Sequence, residues 1–393
     1  MTNYTDKISQ ELLEMASVLG TDKKFDCVVY ASNYLGLKKD AKQHNREFIE
    51  FPFISAIGIK LDSKEIIHFA KTTCVSYISK QTYVFAQVDL ARKIVNIDTK
   101  IELNGENVTI AVIDTGVQPH IDLCLKRNRI VKFVDLINGK NEPYDDNGHG
   151  TFVSCIACGS GLVSGGKYKG FAPKANIISI KALEANGESG AYKILEAMQW
   201  IADNYIKYNI RVVCMSFGST PLGKNDPLIL GAEALWNKGI VVVVAGGNNG
   251  PESNTIKSPG FSPKIITVGA LDDGRGEVSD DLSSFIPSPK DFKVATFSSR
   301  GPAGYFYKPD LLAPGVNVTG ALFDTKDNSF YTKMSGTSVA TPIVAGICAD
   351  IISRYPAITP DMLKIRLLNS CHSLGLSRND EGYGVLDLNM LFN

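Results

Sequence analysis

The stretch Ile240-Val241-Val242-Val243-Val244-Ala245-Gly246-Gly247-Asn248-Asn249-Gly250 decides the fold class. An unbroken β-branched run with no polar face reads as a strand covered on both sides, and the glycines after it as a loop at the strand end. Residues 108–113, 175–183 and 212–217 repeat the pattern, while 192–205 and 227–238 between them carry helical period. Strands and helices alternating in this way predict an α/β, three-layer, doubly wound, mainly parallel sheet. Such sheets place their functional residues at strand ends and in the loops there.

Working back toward the N-terminus, residues 25–87 read as strand, helix, strand, helix, strand. They comprise a strand at 27–30, an apolar stretch at 48–61, helical period over 63–71 and a further strand over 75–85. The first twenty residues mix charges with Leu12, Leu13, Met15 and Leu19, which reads as a short amphipathic helix. They lack the basic start and apolar run of a secretory signal, so a cytoplasmic location is expected. Of 393 residues, 44% are hydrophobic and 21% charged, ordinary for a soluble chain long enough for more than one domain. Lys+Arg and Asp+Glu both total 41, which argues against a nucleic-acid partner. No apolar run approaches the roughly 20 residues that span a bilayer, so no membrane partner is expected. Eight cysteines sit mostly in apolar segments and read as reduced thiols. Cys155 and Cys158 form a C-x-x-C without a second pair, which favours core packing over metal or redox chemistry.

Three short segments carry chemistry: Val112-Ile113-Asp114-Thr115-Gly116, Asn147-Gly148-His149-Gly150-Thr151 and Gly336-Thr337-Ser338-Val339-Ala340-Thr341-Pro342. A serine hydroxyl needs an imidazole to take its proton, and that imidazole needs a carboxylate to fix its tautomer. Asp114 ends an apolar strand, where a carboxylate is held firmly; the alternative is a surface-turn aspartate. His149 follows Asp145-Asp146-Asn147, lies between glycines and precedes a helical stretch, 151–157. Ser338 heads the apolar run 343–348, at a helix start whose dipole favours negative charge. Pro342 suits a first helical turn and is odd deeper inside.

With these segments in this order, the chain from 107 onward resembles the subtilisin-like serine proteases (subtilases, peptidase family S8). The prodomain-bearing intracellular subtilisins of bacteria are the nearest kind. The resemblance implies a subtilisin-like fold and an Asp114, His149, Ser338 triad. It implies Asn248 as oxyanion donor, with Asn249 the alternative, and the Ser338 N–H as second donor. Substrate-binding edges are expected at Ser216-Phe217-Gly218 and around Ser189-Gly190-Ala191, with Ala245 and Gly247 beside them. Lys257 falls at the base of the pocket for the residue before the scissile bond, where it would favour Gln or Glu; the alternative is a solvent-facing lysine.

Residues 22–87 are similar to the small α+β, ferredoxin-like inhibitory and chaperone prodomain of these enzymes, behind a helical extension, 1–21, and before a catalytic domain, 88–393. An unrelated small domain is the alternative. Its last strand ends at Gln87, so self-cleavage is expected between Gln87 and Val88. His120 is assigned a structural role. Phe152 replaces a second histidine common in relatives, outside the triad, and 282–294 looks like a loop insertion. The loop 159–169 lacks the Asn-rich stretch that binds calcium in secreted relatives, so that high-affinity site is not expected; a weak calcium site elsewhere stays open. No cofactor or metal is required. The expected function is a self-processing zymogen of a serine endopeptidase, with protein or peptide substrates and its own prodomain as partner in cis. The alternatives are a regulatory or scaffold pseudoprotease silenced by that prodomain, and a narrow processing protease of sporulation or germination type.

Overall fold

The structure is a computed structural model that describes residues 4–9, 12–13, 24–43, 47–80, 83–86, 89–90, 104–166, 168–274, 292–323 and 330–392. Its N-terminal unit contains β1 (Phe25–Ala31), α1 (Tyr34–Gln43), β2 (Phe48–Phe51), β3 (Ala56–Leu61), α2 (Ser63–Lys71) and β4 (Val75–Lys80). The strands pair antiparallel in the order β2-β3-β1-β4, the split βαβ arrangement expected of a ferredoxin-like unit. The stretch 48–61 is therefore two strands rather than one. Pro52 opens the 3₁₀ turn Pro52–Ile54, and Ser55, at φ 52°, reverses the chain so that Phe51 pairs with Ala56. Helix α2 begins where its sequence says it must. Asp62 accepts from the N–H groups of Lys64 and Glu65, and Glu65 accepts from the Asp62 N–H.

Ahead of this unit, the described part of the extension is a 3₁₀ turn, Tyr4–Lys7, a parallel bridge from Ile8 to Ile78, and the helical residues Leu12 and Leu13, where the Leu13 N–H donates to the Ser9 carbonyl (3.0 Å). The expected helix over 1–21 is thus replaced at its start by an anchor. Lys7 Nζ donates to the carbonyls of Thr72 (2.9 Å) and Val75 (2.8 Å).

The strand expected over 75–85 is also two. After β4 the chain leaves its own sheet and forms β5 (Tyr83–Ala86) and β6 (Asp89–Leu90) against distant segments. Next come β7 (Thr109–Asp114), β8 (Ile130–Asp135), α3 (His149–Cys158), β9 (Asn176–Lys181), β10 (Glu188–Gly190), α4 (Ala191–Asn204), β11 (Ile210–Met215), β12 (Phe217–Gly218) and α5 (Pro227–Asn237). The chain continues through β13 (Val241–Ala245), β14 (Ile266–Asp272), β15 (Lys293–Val294), β16 (Leu311–Pro314), β17 (Val318–Ala321), β18 (Tyr331–Ser335) and α6 (Thr337–Arg354). It continues through α7 (Pro360–Asn369), β19 (Cys371–His372) and β20 (Val385–Leu386) and closes with a short helix, Leu388–Phe392.

The central sheet runs β19-β20-β16-β14-β13-β11-β7-β9-β8, with β15 beside β14. Every pair from β8 to β20 along this order is parallel, and only β19 and β15 run against it. Chain order grows in one direction from β7 to β9 and β8 and in the other from β11 onward. The switch point therefore lies at β7, whose last residue is Asp114. Strands β7 and β13 are buried along their whole length, as apolar runs without alternation require. Helices α3 and α6 pack together on one face, and α4 and α5 together on the other.

The N-terminal unit sits on α4 and α5. Phe53 N–H donates to Gln199 Oε1 (3.2 Å) and the Tyr30 hydroxyl to the Asn225 carbonyl (3.1 Å). The Tyr192 hydroxyl oxygen lies among Cys27 O, Ile59 O and Ile59 N. The unit keeps a core of its own, yet Val28, Tyr30, Phe51 and Ala56 belong to the core of the large sheet. Of the 282–294 insertion, residues up to 291 lie outside the described residues, and Lys293–Val294 pairs antiparallel with the end of β14.

Pro342 departs from expectation. It lies inside α6, beyond the first turn, and its missing N–H deprives the Ser338 carbonyl of its regular helical donor.

Candidate active site

Asp114 and His149 meet at the end of β7. His149 Nδ1 stands 2.7 Å from Asp114 Oδ1, both side chains fully buried. The Thr115 N–H donates to the same carboxylate oxygen (2.8 Å). The approach depends on two glycines. A Cβ on Gly150 would strike the carbonyl of Gly116, and one on Gly116, at φ +124°, the carbonyl of Tyr144. Burial of the His149 ring disfavours its charged form, but the Asp114 carboxylate, with Asp145 adding to it, raises the imidazole above its ordinary range. Nε2, the nitrogen facing away from Asp114, is buried and has no hydrogen-bond partner among the described residues.

Ser338 is the second residue of α6 and fully buried. The start of this helix is tied to the end of β13 through Thr337, whose hydroxyl accepts from the Gly247 N–H (3.1 Å) and donates to Asn248 Oδ1 (3.0 Å). The Thr337 N–H also donates to Asn248 Oδ1 (2.9 Å). The carbonyl end of Asn248 is thereby committed, which leaves its amide nitrogen as the donor end of the side chain. Asn249 is exposed, and its backbone N–H instead holds Ser299 Oγ (3.1 Å). Only β11 separates β13 from β7, so the carboxyl ends of these two strands lie about 10 Å apart at the same end of the sheet. Thr337 gives no signal in the sequence, because its contribution is a contact with a residue 89 positions away.

The substrate edges expected at 189–191 and 216–218 are both paired, and β5 lies between them. Glu188, Ser189 and Gly190 face Phe85, Val84 and Tyr83, while Phe217 and Gly218 face Ala86 and Phe85. Phe217 and Ser216 are fully buried, so Phe217 offers its backbone to the cleft and its ring to the core. On the far side of the site, β6 pairs with β18, Asp89 facing Ser335 and Leu90 facing Met334. This second edge escapes sequence reasoning, since five half-buried residues of β18 give no apolar signal. Gln87 and Val88 lie outside the described residues, between these two paired segments.

Ala245 closes β13 and is buried. Ser219 and Ser258 exchange backbone hydrogen bonds (3.0 and 2.9 Å), joining the strand after Gly218 to the segment that carries Lys257. Lys257 is half-buried, its N–H donates to the Gly246 carbonyl (2.9 Å), and its stem lies against Gly247. His120 caps the short helix Ile121–Cys124, accepting from the Asp122 N–H (3.2 Å), with Nε2 3.1 Å from the Phe330 carbonyl. All eight cysteines are free; Cys155 and Cys158 are buried in α3, and burial pushes the Cys158 thiol up to about 12. Among the described residues, no group of three or more His, Cys, Asp or Glu is arranged to hold a metal. Nor is any helix among them long and apolar enough to cross a membrane.

A sequence model described as "Subtilase family" matches residues 105–385. Serine protease AprX of Bacillus subtilis (strain 168) is 45% identical over 289 residues, covering 68% of this chain and 62% of that protein. Thermostable alkaline protease of Halalkalibacterium halodurans is 30% identical over 334 residues, 84% of this chain and 80% of that protein. Among solved structures, fervidolysin from Fervidobacterium pennivorans, described as a keratinolytic enzyme related to subtilisin, superposes with a TM-score of 0.72 at 20% identity. That match covers 95% of this chain and 61% of the fervidolysin chain, and is a likeness of fold. The chain thus spans about three fifths of the length of AprX and of fervidolysin.

Proposed function

The chain belongs to the subtilase family, and from that premise we propose that it is a serine endopeptidase made as a self-processing zymogen. In this reading His149 Nε2 takes the proton of Ser338 Oγ as the oxygen attacks the scissile carbonyl. The tetrahedral oxyanion is held by the Asn248 amide and the N–H of Ser338. The amine leaves with the proton, and water, activated by the same imidazole, releases the acyl group. The chain's own groups and water supply every step, and no cofactor is called on. Substrates are proteins or peptides bound by strand addition between β10 and β12. Residues 22–87 act as prodomain and 88–393 as catalytic domain. The free thiols fit a cytoplasmic, reducing setting.

One observation carries the reading. The segment 83–86 pairs between β10 and β12, where this reading puts a substrate, and 89–90 pairs with β18 to within three residues of Ser338. In the chain, the Gln87–Val88 bond falls between these two paired segments. N-terminal sequencing of the mature enzyme tests it: the chain should start at Val88, and a start far from there rejects this cleavage site.

Two further outcomes follow from the pocket. Asn248→Ala should lower kcat by about 100- to 1000-fold with little change in KM, a magnitude known for the corresponding donor of subtilisin itself. Asn249→Ala should leave kcat near wild type; the reverse pattern would hand the role to Asn249. Lys257 should favour Gln or Glu before the scissile bond through a charge-assisted hydrogen bond, roughly 10- to 100-fold in kcat/KM over Lys. A matched peptide series checks this, and Lys257→Glu should invert the order; a flat series puts the ammonium in solvent.

A further inference from the structure

The triad leaves unexplained the two carboxylates just ahead of His149. Asp145 is buried, at 6% exposure. Its Oδ1 accepts from Thr115 Oγ1 (2.9 Å), the Gly148 N–H (2.8 Å) and the Asn147 N–H (3.1 Å). Its Oδ2 accepts from the Thr151 hydroxyl (2.6 Å) and the Thr151 N–H (2.8 Å). These donors come from both segments that bring Asp114 and His149 together. Thr115 completes the link, its hydroxyl oxygen accepting from the Gly150 N–H (2.9 Å). Asp146 works from the other side. It pairs with Lys181 Nζ (2.6 Å), and that fully buried ammonium also donates to the carbonyls of Thr115 (2.7 Å) and Leu183 (2.9 Å). Thr115, next to Asp114, is therefore held by its hydroxyl through Asp145 and by its carbonyl through Lys181 and Asp146.

We infer that Asp145 is a positioning residue for the proposed hydrolysis, locking the start of α3 to the end of β7 and keeping a second negative charge near the His149 imidazole. The inference rests on the proposed endopeptidase function. A helix cap alone would explain the N–H contacts of Gly148 and Thr151. It would not explain the bond to Thr115, which belongs to another element. The charged groups set around the imidazole are Asp114 from β7 and Asp145 from the loop before α3. Beyond them lies the Asp146–Lys181 pair, whose charges cancel. Asp114 has the larger effect on the ring and Asp145 adds to it in the same direction.

The test uses the full-length chain after self-processing. Asp145→Asn should lower kcat about 10- to 100-fold through misplacement of the base, with KM unchanged because β10 and β12 are untouched. It should also move the acid limb of the kcat/KM profile to lower pH, since a neutral group no longer favours the imidazolium. Thr115→Val, which keeps the charge and removes the bridging hydroxyl, should lower kcat and leave the limb in place. An Asp145→Asn enzyme with wild-type kcat and acid limb overturns the inference. If that variant does not fold, Thr115→Val with wild-type kcat overturns it. Loss of the underlying reading looks different: the wild type itself would then show no Ser338-dependent turnover.

Discussion

Ser338→Ala is expected to leave the chain full length, unlabelled by a fluorophosphonate and without measurable turnover. The loss in kcat should be about 10⁶-fold, the magnitude measured when the nucleophile of subtilisin, a member of the same family, is removed. The substitution is clean. It removes one oxygen at the second position of α6, where alanine is the best helix former, and leaves the Thr337 bonds to Asn248 and Gly247 in place. Folding should therefore survive, and the defect should be chemical. The wild type, under the same conditions, should shed its N-terminal segment and take up the label. Processing is read in the same gel as activity, because the proposed cut, Gln87–Val88, falls in the chain between β5 and β6. Identical behaviour of the two proteins would remove the enzyme reading, whichever product is seen.

Legibility of this chain from sequence followed the range of the forces involved. The runs at 108–113 and 240–245 were readable because a strand buried on both faces has no alternative to being apolar throughout. Asp114 and His149 sit in frames of small residues that let their segments touch, as Gly150 does against Gly116. What escaped was partnership. Nothing within 75–85 says that β4 closes one sheet while β5 joins another, since both are short and β-rich and the partner decides. Thr337 and Asp145 escaped for the same reason, their contacts being with Asn248 and Thr115 from distant segments. The division of 48–61 is a different kind of miss, because Pro52 was in plain view and marks the break between β2 and β3. Pro342 taught the opposite lesson. A residue that propensity assigns to a first turn is held inside α6 by a helix buried nearly along its whole length, where packing overrides the lost hydrogen bond.

Asp114→Asn carries the second largest expected effect, a fall in kcat of about 10⁴-fold, or about 5.5 kcal/mol of transition-state stabilisation. The size follows from the tautomer. In the wild type, Asp114 Oδ1 at 2.7 Å accepts the Nδ1 proton, which leaves Nε2 as the lone-pair nitrogen able to take the Ser338 proton. An asparagine can turn its NH₂ toward Nδ1, place the ring proton on Nε2 and disable the base with hardly an atom moved. The pH dependence gives an independent check. Burial of His149 favours the neutral ring, Asp114, with Asp145 adding to it, outweighs burial, and the folded imidazole is raised above its ordinary range. Only the neutral ring can act as base, so wild-type kcat/KM should fall as pH drops through that raised value. Without that carboxylate, burial is opposed only by the smaller effect of Asp145, and the acid limb of the residual activity should move to lower pH. KM should stay close to wild type, because the proposed peptide edges, β10 and β12, pair through backbone groups and not through this bond. A variant whose acid limb coincides with that of the wild type would mean that a group other than His149 titrates there, and the triad would lose its base.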